Sequence, residues 1–153
     1  MHFDVPGVGP IDIDTILLDL NGTLRDKKKF LVPGVNTRIA RLRELVRLIL
    51  LSGDTRGDAA VLAEELGIEF IRTPTAADKG AIVDRLGAEH CAGIGNGLID
   101  LTMVERARIG IAVLQGEGAH MKTLHAADIV VTSVNDALDF FLDEKSLIAT
   151  LRA

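Results

Sequence analysis

Short apolar segments alternate with amphipathic segments along almost the whole chain. Apolar segments typical of buried strands lie at residues 15–20, 47–51, 68–71, 90–94, 109–113 and 128–131. Apolar residues recur at helical spacing over residues 35–46, 55–66, 78–86, 98–107 and 121–125, and again from residue 135 to near the end. Strands that alternate with helices of about ten residues favour crossover connections. The sequence therefore predicts an α/β fold, a doubly wound three-layer α/β/α sandwich with a mainly parallel sheet.

The length of the chain predicts how this sandwich is organised. It has 153 residues, of which 48% are hydrophobic, and this is enough apolar material for one core. We expect a single domain over residues 1–153, without a cap domain, in which residues 24–33 form a small flap. For residues 1–14, a packed arm, a strand and a frayed end all remain open.

Charge and residue usage exclude several kinds of partner. The net charge of −5 gives no reason to expect nucleic acid or an anionic membrane surface. The three lysines at residues 27–29 are either a solvated turn at the tip of the flap or a receiver of an anionic substrate. The single cysteine, Cys91, excludes an internal disulfide, lies in an apolar segment typical of a core, and fits a cytoplasmic protein.

Polar residues follow four successive predicted strands. Asp19 and Asn21 end the first strand, residues 52–54 follow the second, Lys79 comes after the third, and residues 95–100 follow the fourth. The carboxyl ends of parallel strands lie at one edge of the sheet, and ligands bind there in doubly wound folds. We therefore expect these residues to share one site.

The residue types in this site suit phosphoryl transfer. The carboxylate of Asp19 can attack phosphorus and form an acyl phosphate. Lys79 and Mg²⁺ would then balance the negative charge of the phosphoryl group. Ser52 would hold phosphate oxygens, and Asp100 would hold the metal or its water molecules.

Each of these residues also has an ordinary structural explanation when it is taken alone. Asp19 can cap a turn, Ser52 can cap a helix, and Lys79 can be a solvated helix residue. The segment Gly-Asn-Gly at residues 95–97 can be a simple turn. Their order, one group after each of four strands, favours the joint site.

In this order the motifs resemble those of the haloacid dehalogenase superfamily of phosphohydrolases and phosphotransferases. More narrowly, they are similar to the phosphorylation domain of P-type cation ATPases, over residues 15–138. The segments that carry the resemblance are DLNGTL (19–24, nucleophile motif), LSGDTRGDAAVLAEELGIE (51–69, Thr-Gly-Asp segment), TAADKGAIVDRL (75–86, lysine segment), GIGNGLIDLTMVERARIGIAV (93–113, Gly-Asp-Gly-x-Asn-Asp segment) and AADIVVTSVNDAL (126–138, following strand).

The resemblance implies a Mg²⁺-dependent enzyme with a phospho-aspartate intermediate. It also implies three groups of site residues, which are catalytic residues Asp19, Asn21, Thr23 and Lys79, phosphate-binding residues Ser52, Gly53 and Lys79, and metal-binding residues Asp19, Asn21, Asn96 and Asp100.

The chain departs from the pumps in size. Only 28 residues separate Thr23 from Ser52, so the nucleotide-binding domain of the pumps has no place there. No cap domain fits between Ser52 and Lys79 either. Such a site suits a phosphorylated small molecule or an exposed phosphate on a larger substrate. It also remains possible that the protein forms a homo-oligomer in which a neighbouring subunit closes the site.

Two asparagines stand where relatives carry acids. Asn21 replaces the acid that superfamily phosphatases use to protonate the leaving oxygen and then to activate water. An amide does neither well, so Asn21 favours good leaving groups or slow hydrolysis, while its backbone carbonyl can still bind a metal. Asn96 replaces an acidic metal ligand, which predicts weak metal affinity. A direct and a water-mediated role of Asp100 at the metal both remain open.

Two other functions fit parts of the pattern. The asparagines also fit a catalytically weak module that binds phosphate or Mg²⁺ and serves a regulatory or partner-binding role. A response-regulator receiver shares the sheet and an Asp–Ser/Thr–Lys set. Receivers, however, carry the phosphorylated Asp after the third strand, where RTPTAADK at residues 72–79 offers no Asp at the strand end.

Overall fold

A six-stranded parallel sheet organises the protein, whose computed structural model describes residues 1–27 and 29–153. The strands of the described chain are β1 (His2–Val5), β2 (Gly9–Asp12), β3 (Thr15–Asp19), β4 (Arg47–Ser52), β5 (Glu69–Arg72), β6 (Cys91–Gly95), β7 (Ile109–Val113) and β8 (Ile129–Val131). The sheet has the order β5-β4-β3-β6-β7-β8, and all of its neighbouring strands are parallel. Lys28, the middle lysine of the basic run, lies outside the described residues.

Helices connect the strands of this sheet. Those of the described chain are α1 (Val35–Leu42), α2 (Ala59–Leu66), α3 (Ala76–Leu86), α4 (Leu101–Arg106), α5 (Met121–Ala126), α6 (Val134–Asp139) and α7 (Glu144–Leu151). Short 3₁₀ turns at Ala88–His90 and Leu98–Asp100 precede β6 and α4.

The sheet is covered by helices on both faces. Successive side chains of a strand point to opposite faces, so the central strands supply two separate apolar cores. Ile16 and Leu18 of β3 belong to the core that packs against α1, α2 and α6. Leu17, between them, belongs to the core that packs against α3 and α4. The predicted doubly wound three-layer sandwich is therefore confirmed.

The first fourteen residues form an antiparallel hairpin of β1 and β2. Its inward side chains, including Phe3 and Ile11, are buried in the larger core. The ring of Phe3 packs edge-to-face against Phe141, with 6.5 Å between ring centroids. The N-terminal ammonium group donates a hydrogen bond to the carbonyl of Ile13. The assignment of all residues to one domain stays a prediction.

Several helix boundaries differ from the prediction. The helix predicted from residue 55 begins at Ala59, because a turn at residues 55–58 includes Gly57 in the left-handed region. The helix predicted over residues 35–46 ends at Leu42. The helix predicted from residue 135 is broken between α6 and α7, and the break allows Phe141 to enter the core against Phe3.

The packing of β7 against α4 yields a stability prediction at Gly110. A Cβ at this position would collide with the backbone carbonyl oxygen of Val104. We expect Gly110→Ala to lower the free energy of unfolding by about 1–3 kcal/mol, because backbone must move to admit the methyl group. Urea denaturation measures the change. Gly97→Ala adds the same methyl group with its nearest neighbour at 3.7 Å and should change stability far less. Equal effects of the two substitutions would contradict this account.

Candidate active site

The predicted site residues meet at the carboxyl end of the sheet. A cleft of about 560 Å³ opens there, and Asp19, Asn21, Ser52, Gly53 and Lys79 are among the residues that line it. The other predicted residues, Thr23, Asn96 and Asp100, lie behind this lining and connect to it through hydrogen bonds. The structure thus brings all eight together.

The centre of the site is the ammonium group of Lys79, which is completely buried. Its Nζ donates to Asp19 Oδ1 at 2.7 Å and to Asp100 Oδ1 at 2.6 Å. Lys79 lies in the first turns of α3, where Thr75 and Asp78 form a capping box that fixes the start of the helix. Local sequence therefore determines where the ammonium enters the site.

Burial and neighbouring charges shift the pKa values of Lys79 and Asp19. Burial disfavours the ammonium form of Lys79, but the negative charges of Asp19 and Asp100 outweigh it and raise the pKa of Lys79 above its usual value. Burial, together with the negative charge of Asp100, raises the pKa of Asp19 to about 6. Two carboxylates facing one ammonium leave an excess negative charge in the cluster.

Asp100 is held by protein groups on both of its oxygens. Oδ1 accepts from Lys79, while Oδ2 accepts from the backbone N–H groups of Asn96 and Gly97, each at 2.9 Å. The side chain fits against β6 because position 95 is glycine, where a Cβ would lie 2.5 Å from Asp100 Cβ. Asp100 therefore fixes the turn after β6 and the ammonium at the same time.

A second set of hydrogen bonds links the end of β3 and the residues that follow it to this turn. The hydroxyl of Thr23 lies 3.0 Å from Asp19 Oδ2 and 3.2 Å from Asn96 Oδ1. The other end of the Asn96 amide, Nδ2, donates to the carbonyl of Gly118. Gly22 has a φ of 83°, and a Cβ there would collide with the Asn96 amide. Glycine at position 22 is thus required by both backbone conformation and close packing.

The segment after β4 presents a hydroxyl group to the cleft. Ser52 Oγ accepts a hydrogen bond from Asp54 N–H at 3.0 Å, so its own hydrogen is free to be donated to a ligand. Asp54 has a φ of 55° and accepts from Ala59 N–H, which ties the segment to the start of α2.

Three residues of the site were not predicted from the sequence. Arg72 lines the cleft beside Ser52, its partner in the parallel pairing of β4 and β5. Arg72 comes directly after a predicted strand, and this position in the sequence could have identified it as a site residue. Arg25 and Asp58 form an ion pair at 2.7 Å next to Asn21. They lie 33 positions apart in the sequence, so no local pattern pointed to this pair.

The oxygen atoms near the Thr23 hydroxyl could bind a divalent cation, although few of them carry a negative charge. Asp19 Oδ2 and Asn96 Oδ1 both lie close to the Thr23 hydroxyl, and oxygen donors suit Mg²⁺. The backbone carbonyl of Asn21 accepts no hydrogen bond from any described residue. Among residues 1–27 and 29–153, no group of three or more His, Cys, Asp or Glu side chains is arranged as a metal site.

The raised pKa of Asp19 predicts that its carboxylate destabilises the metal-free fold. Its pKa rises from 3.8 to about 6, so the folded state binds the proton more tightly, and stability falls as the pH rises from about 4 to 6. Asp19→Asn removes this cost and leaves Lys79 paired with Asp100. We expect the variant to be more stable than wild type at pH 8, by up to about 3 kcal/mol.

Urea denaturation in a chelating buffer at several pH values tests this prediction. The advantage of Asp19→Asn should shrink as the pH falls towards 4. Glu69→Gln is the matched control. A hydrogen bond from Arg47 lowers the pKa of Glu69, so this variant should be less stable than wild type at pH 8, whereas Asp19→Asn should be more stable. If Asp19→Asn were less stable than wild type at pH 8, the carboxylate of Asp19 would stabilise the fold, which contradicts the prediction.

Comparison with known proteins identifies the family of the chain. The profile of the haloacid dehalogenase-like hydrolases matches residues 25–108. An uncharacterized protein of Methanocaldococcus jannaschii is 49% identical over 59 residues, which are 39% of this chain and 63% of that protein. The ATP-binding subunit of the potassium-transporting ATPase of Synechocystis is 30% identical over 106 residues, 67% of this chain. The chain spans only 15% of that subunit.

A solved structure shows the same fold. It is the 3-deoxy-D-manno-octulosonate 8-phosphate phosphatase of Moraxella catarrhalis, in complex with magnesium, phosphate and its sugar. The TM-score is 0.67 at 23% identity, and the match covers 92% of this chain and 94% of that one. No helix in the described part of the chain is long and apolar enough to cross a membrane. The predicted resemblance is confirmed, and the chain belongs to the family of haloacid dehalogenase-like hydrolases.

Proposed function

We propose that the protein is a Mg²⁺-dependent phosphohydrolase or phosphotransferase in which Asp19 is the nucleophile. The observation that carries this proposal is the contact of Asp19 with the buried Lys79 ammonium at 2.7 Å, at the wall of an open cleft. A carboxylate that is fixed in place and partly stripped of water can attack a phosphorus atom held in front of it.

In the proposed first step, an oxygen of Asp19 forms a bond to phosphorus. The bond from phosphorus to the leaving oxygen breaks, and the leaving group departs with the electron pair. Lys79 and Arg72 supply positive charge next to the phosphoryl oxygens, and Ser52 and the N–H of Gly53 donate to them. In the second step water attacks the same phosphorus, which releases phosphate and restores the carboxylate.

Asp19, Asn96 and the carbonyl of Asn21 are the groups that would hold the metal. When bound, a divalent cation would offset the negative charge on the phosphoryl oxygens. Both oxygens of Asp100 already accept from protein donors, which supports a role for Asp100 in positioning Lys79 and the turn after β6. Its contact with a metal, direct or through water, stays a prediction.

The substrates that suit this site have good leaving groups. Asn21 lines the cleft, and an amide cannot protonate a poor leaving oxygen. Anhydrides and acyl phosphates leave as stable anions and do not need that proton. An exposed phosphate on a small molecule or on a larger partner is compatible with this open cleft.

A module that binds phosphate without turnover is the second candidate. The observation that favours it is the composition of the cleft wall. Of the described residues that line the cleft, only Asp19 and Asp54 are acids, and Asp54 is engaged in holding the start of α2.

Intact-mass spectrometry decides between these two functions. Wild type and Asp19→Asn are incubated with Mg²⁺ and acetyl phosphate, quenched at intervals and weighed. We expect wild type alone to gain one phosphoryl group, which then decays slowly because Asn21 cannot activate water. Adduct formation by both proteins would exclude Asp19 as the nucleophile. No adduct and no released phosphate would favour the binding module.

The substitution Asn21→Asp should shorten the lifetime of the adduct. A carboxylate at this position can take a proton from the attacking water, and general base catalysis accelerates such a step by about 10²–10⁴-fold. The decay of the adduct after removal of acetyl phosphate measures the change. Asn36→Asp makes the same chemical change on exposed α1, outside the active-site cleft, and should leave the lifetime unaltered. An unchanged lifetime in Asn21→Asp would show that position 21 does not reach the water.

A further inference from the structure

The side chain of Asn21 is anchored by a buried guanidinium group. Arg25 is only 2% exposed, and its Nε donates to Asn21 Oδ1 at 2.8 Å. Its two terminal nitrogens donate to Asp58 Oδ2 at 2.7 Å and to Oδ1 at 2.9 Å. Asp58 directly precedes α2, so the guanidinium joins the nucleophile loop to the neighbouring helix.

This contact determines which way the amide of Asn21 points. Guanidinium nitrogens only donate hydrogen bonds, so the amide atom that faces Arg25 must be the oxygen. The NH₂ group of Asn21 is then directed away from Arg25. Asn21 lines the cleft together with Asp19, and its Nδ2 donates to no acceptor among the described residues. The cleft therefore contains an oriented donor with no protein partner in that part of the chain.

We propose that Arg25 is a positioning residue that, with Asp58, holds Asn21 so that its Nδ2 donates a hydrogen bond to an oxygen of the transferring phosphoryl group. This inference rests on the proposed function and assigns Asn21 a role that an acid–base residue does not have. A donor fixed before the reaction stabilises charge on the phosphoryl oxygens without reorganisation during the step. The rival explanation is that Arg25 only tethers the flap to α2.

A double-mutant cycle separates these two explanations. The reaction followed is the formation of phospho-Asp19 from acetyl phosphate, in which the new oxygen–phosphorus bond forms as the bond to acetate breaks and acetate leaves with the electron pair. Asn21→Ala and Arg25→Lys should each slow this step by about tenfold, the usual effect of losing one hydrogen bond to a charged group. The double variant should also be about tenfold slower, because Arg25 acts only through Asn21. A double variant about a hundredfold slower would overturn the proposal.

Two further variants guard against a general effect on folding. Asp58→Asn weakens the hold on Arg25 from a side chain that is 46% exposed, and it should slow the step in wild type but not in Asn21→Ala. Arg38→Lys removes a similar forked pair, from Arg38 to Asp139, that joins α1 to α6 and does not touch the cleft. Arg38→Lys should leave the rate unchanged. A rate that fell with stability in all variants alike would overturn the proposal.

A direct reading of the amide completes the test. The side-chain NH₂ signal of Asn21 in a ¹⁵N–¹H NMR spectrum is assigned by its absence in Asn21→Ala. Titration with inorganic phosphate and Mg²⁺ should shift this signal in wild type and shift it much less in Arg25→Lys. A signal that does not move in wild type, although other cleft signals do, would overturn the role of Asn21. Absence of both an adduct and released phosphate in the mass assay would instead overturn the proposed function, and the amide signal would still decide this inference.

Discussion

The rest of the site depends on the pairing of the buried Lys79 ammonium with the carboxylates of Asp19 and Asp100. An unpaired charge in a protein interior is costly, and this one is tolerated because two carboxylates face it at 2.6–2.7 Å. These three charges come from the end of β3, from the 3₁₀ turn that follows β6 and from the first turns of α3. Their attraction favours the meeting of these three elements at one place. The same contacts therefore stabilise this edge of the sheet and form the site.

The two carboxylates in this cluster have different roles because their surroundings differ. Asp100 is fully buried, and all of its contacts are with protein donors, so it acts as an anchor for the turn after β6 and for Lys79. Asp19 keeps 6% of its surface exposed and lines the cleft. Of these two carboxylates, Asp19 is therefore the one that faces the cleft. The structure thus separates the carboxylate at the cleft from the one that holds Lys79 and the turn after β6 in position.

The sequence predicted this cluster because its members follow a simple rule. Asp19, Ser52, Lys79 and Asp100 each come after an apolar segment of strand type, and parallel strands end at one edge. No rule of that kind reached Arg25 and Asp58, because their pairing depends on how the loop after β3 lies against α2. Periodicity also missed the break between α6 and α7. The side chains continue to fit a helix there, but in the structure Phe141, which lies in the break, packs on Phe3.

The excess negative charge of the cluster gives a physical reason for both asparagines. A phosphoryl group brings further negative charge to a site where two carboxylates already face one ammonium. An aspartate at position 21 or 96 would add another negative charge next to Asp19 and repel the substrate unless a metal compensated for it. An amide side chain keeps an oxygen that can bind a metal but carries no negative charge. In Asn21 the amide also offers an N–H group that can donate a hydrogen bond. In the proposed function, an amide at these positions would weaken metal binding and acid–base chemistry but would ease the entry of an anion. Such a site would favour substrates whose leaving groups need no proton.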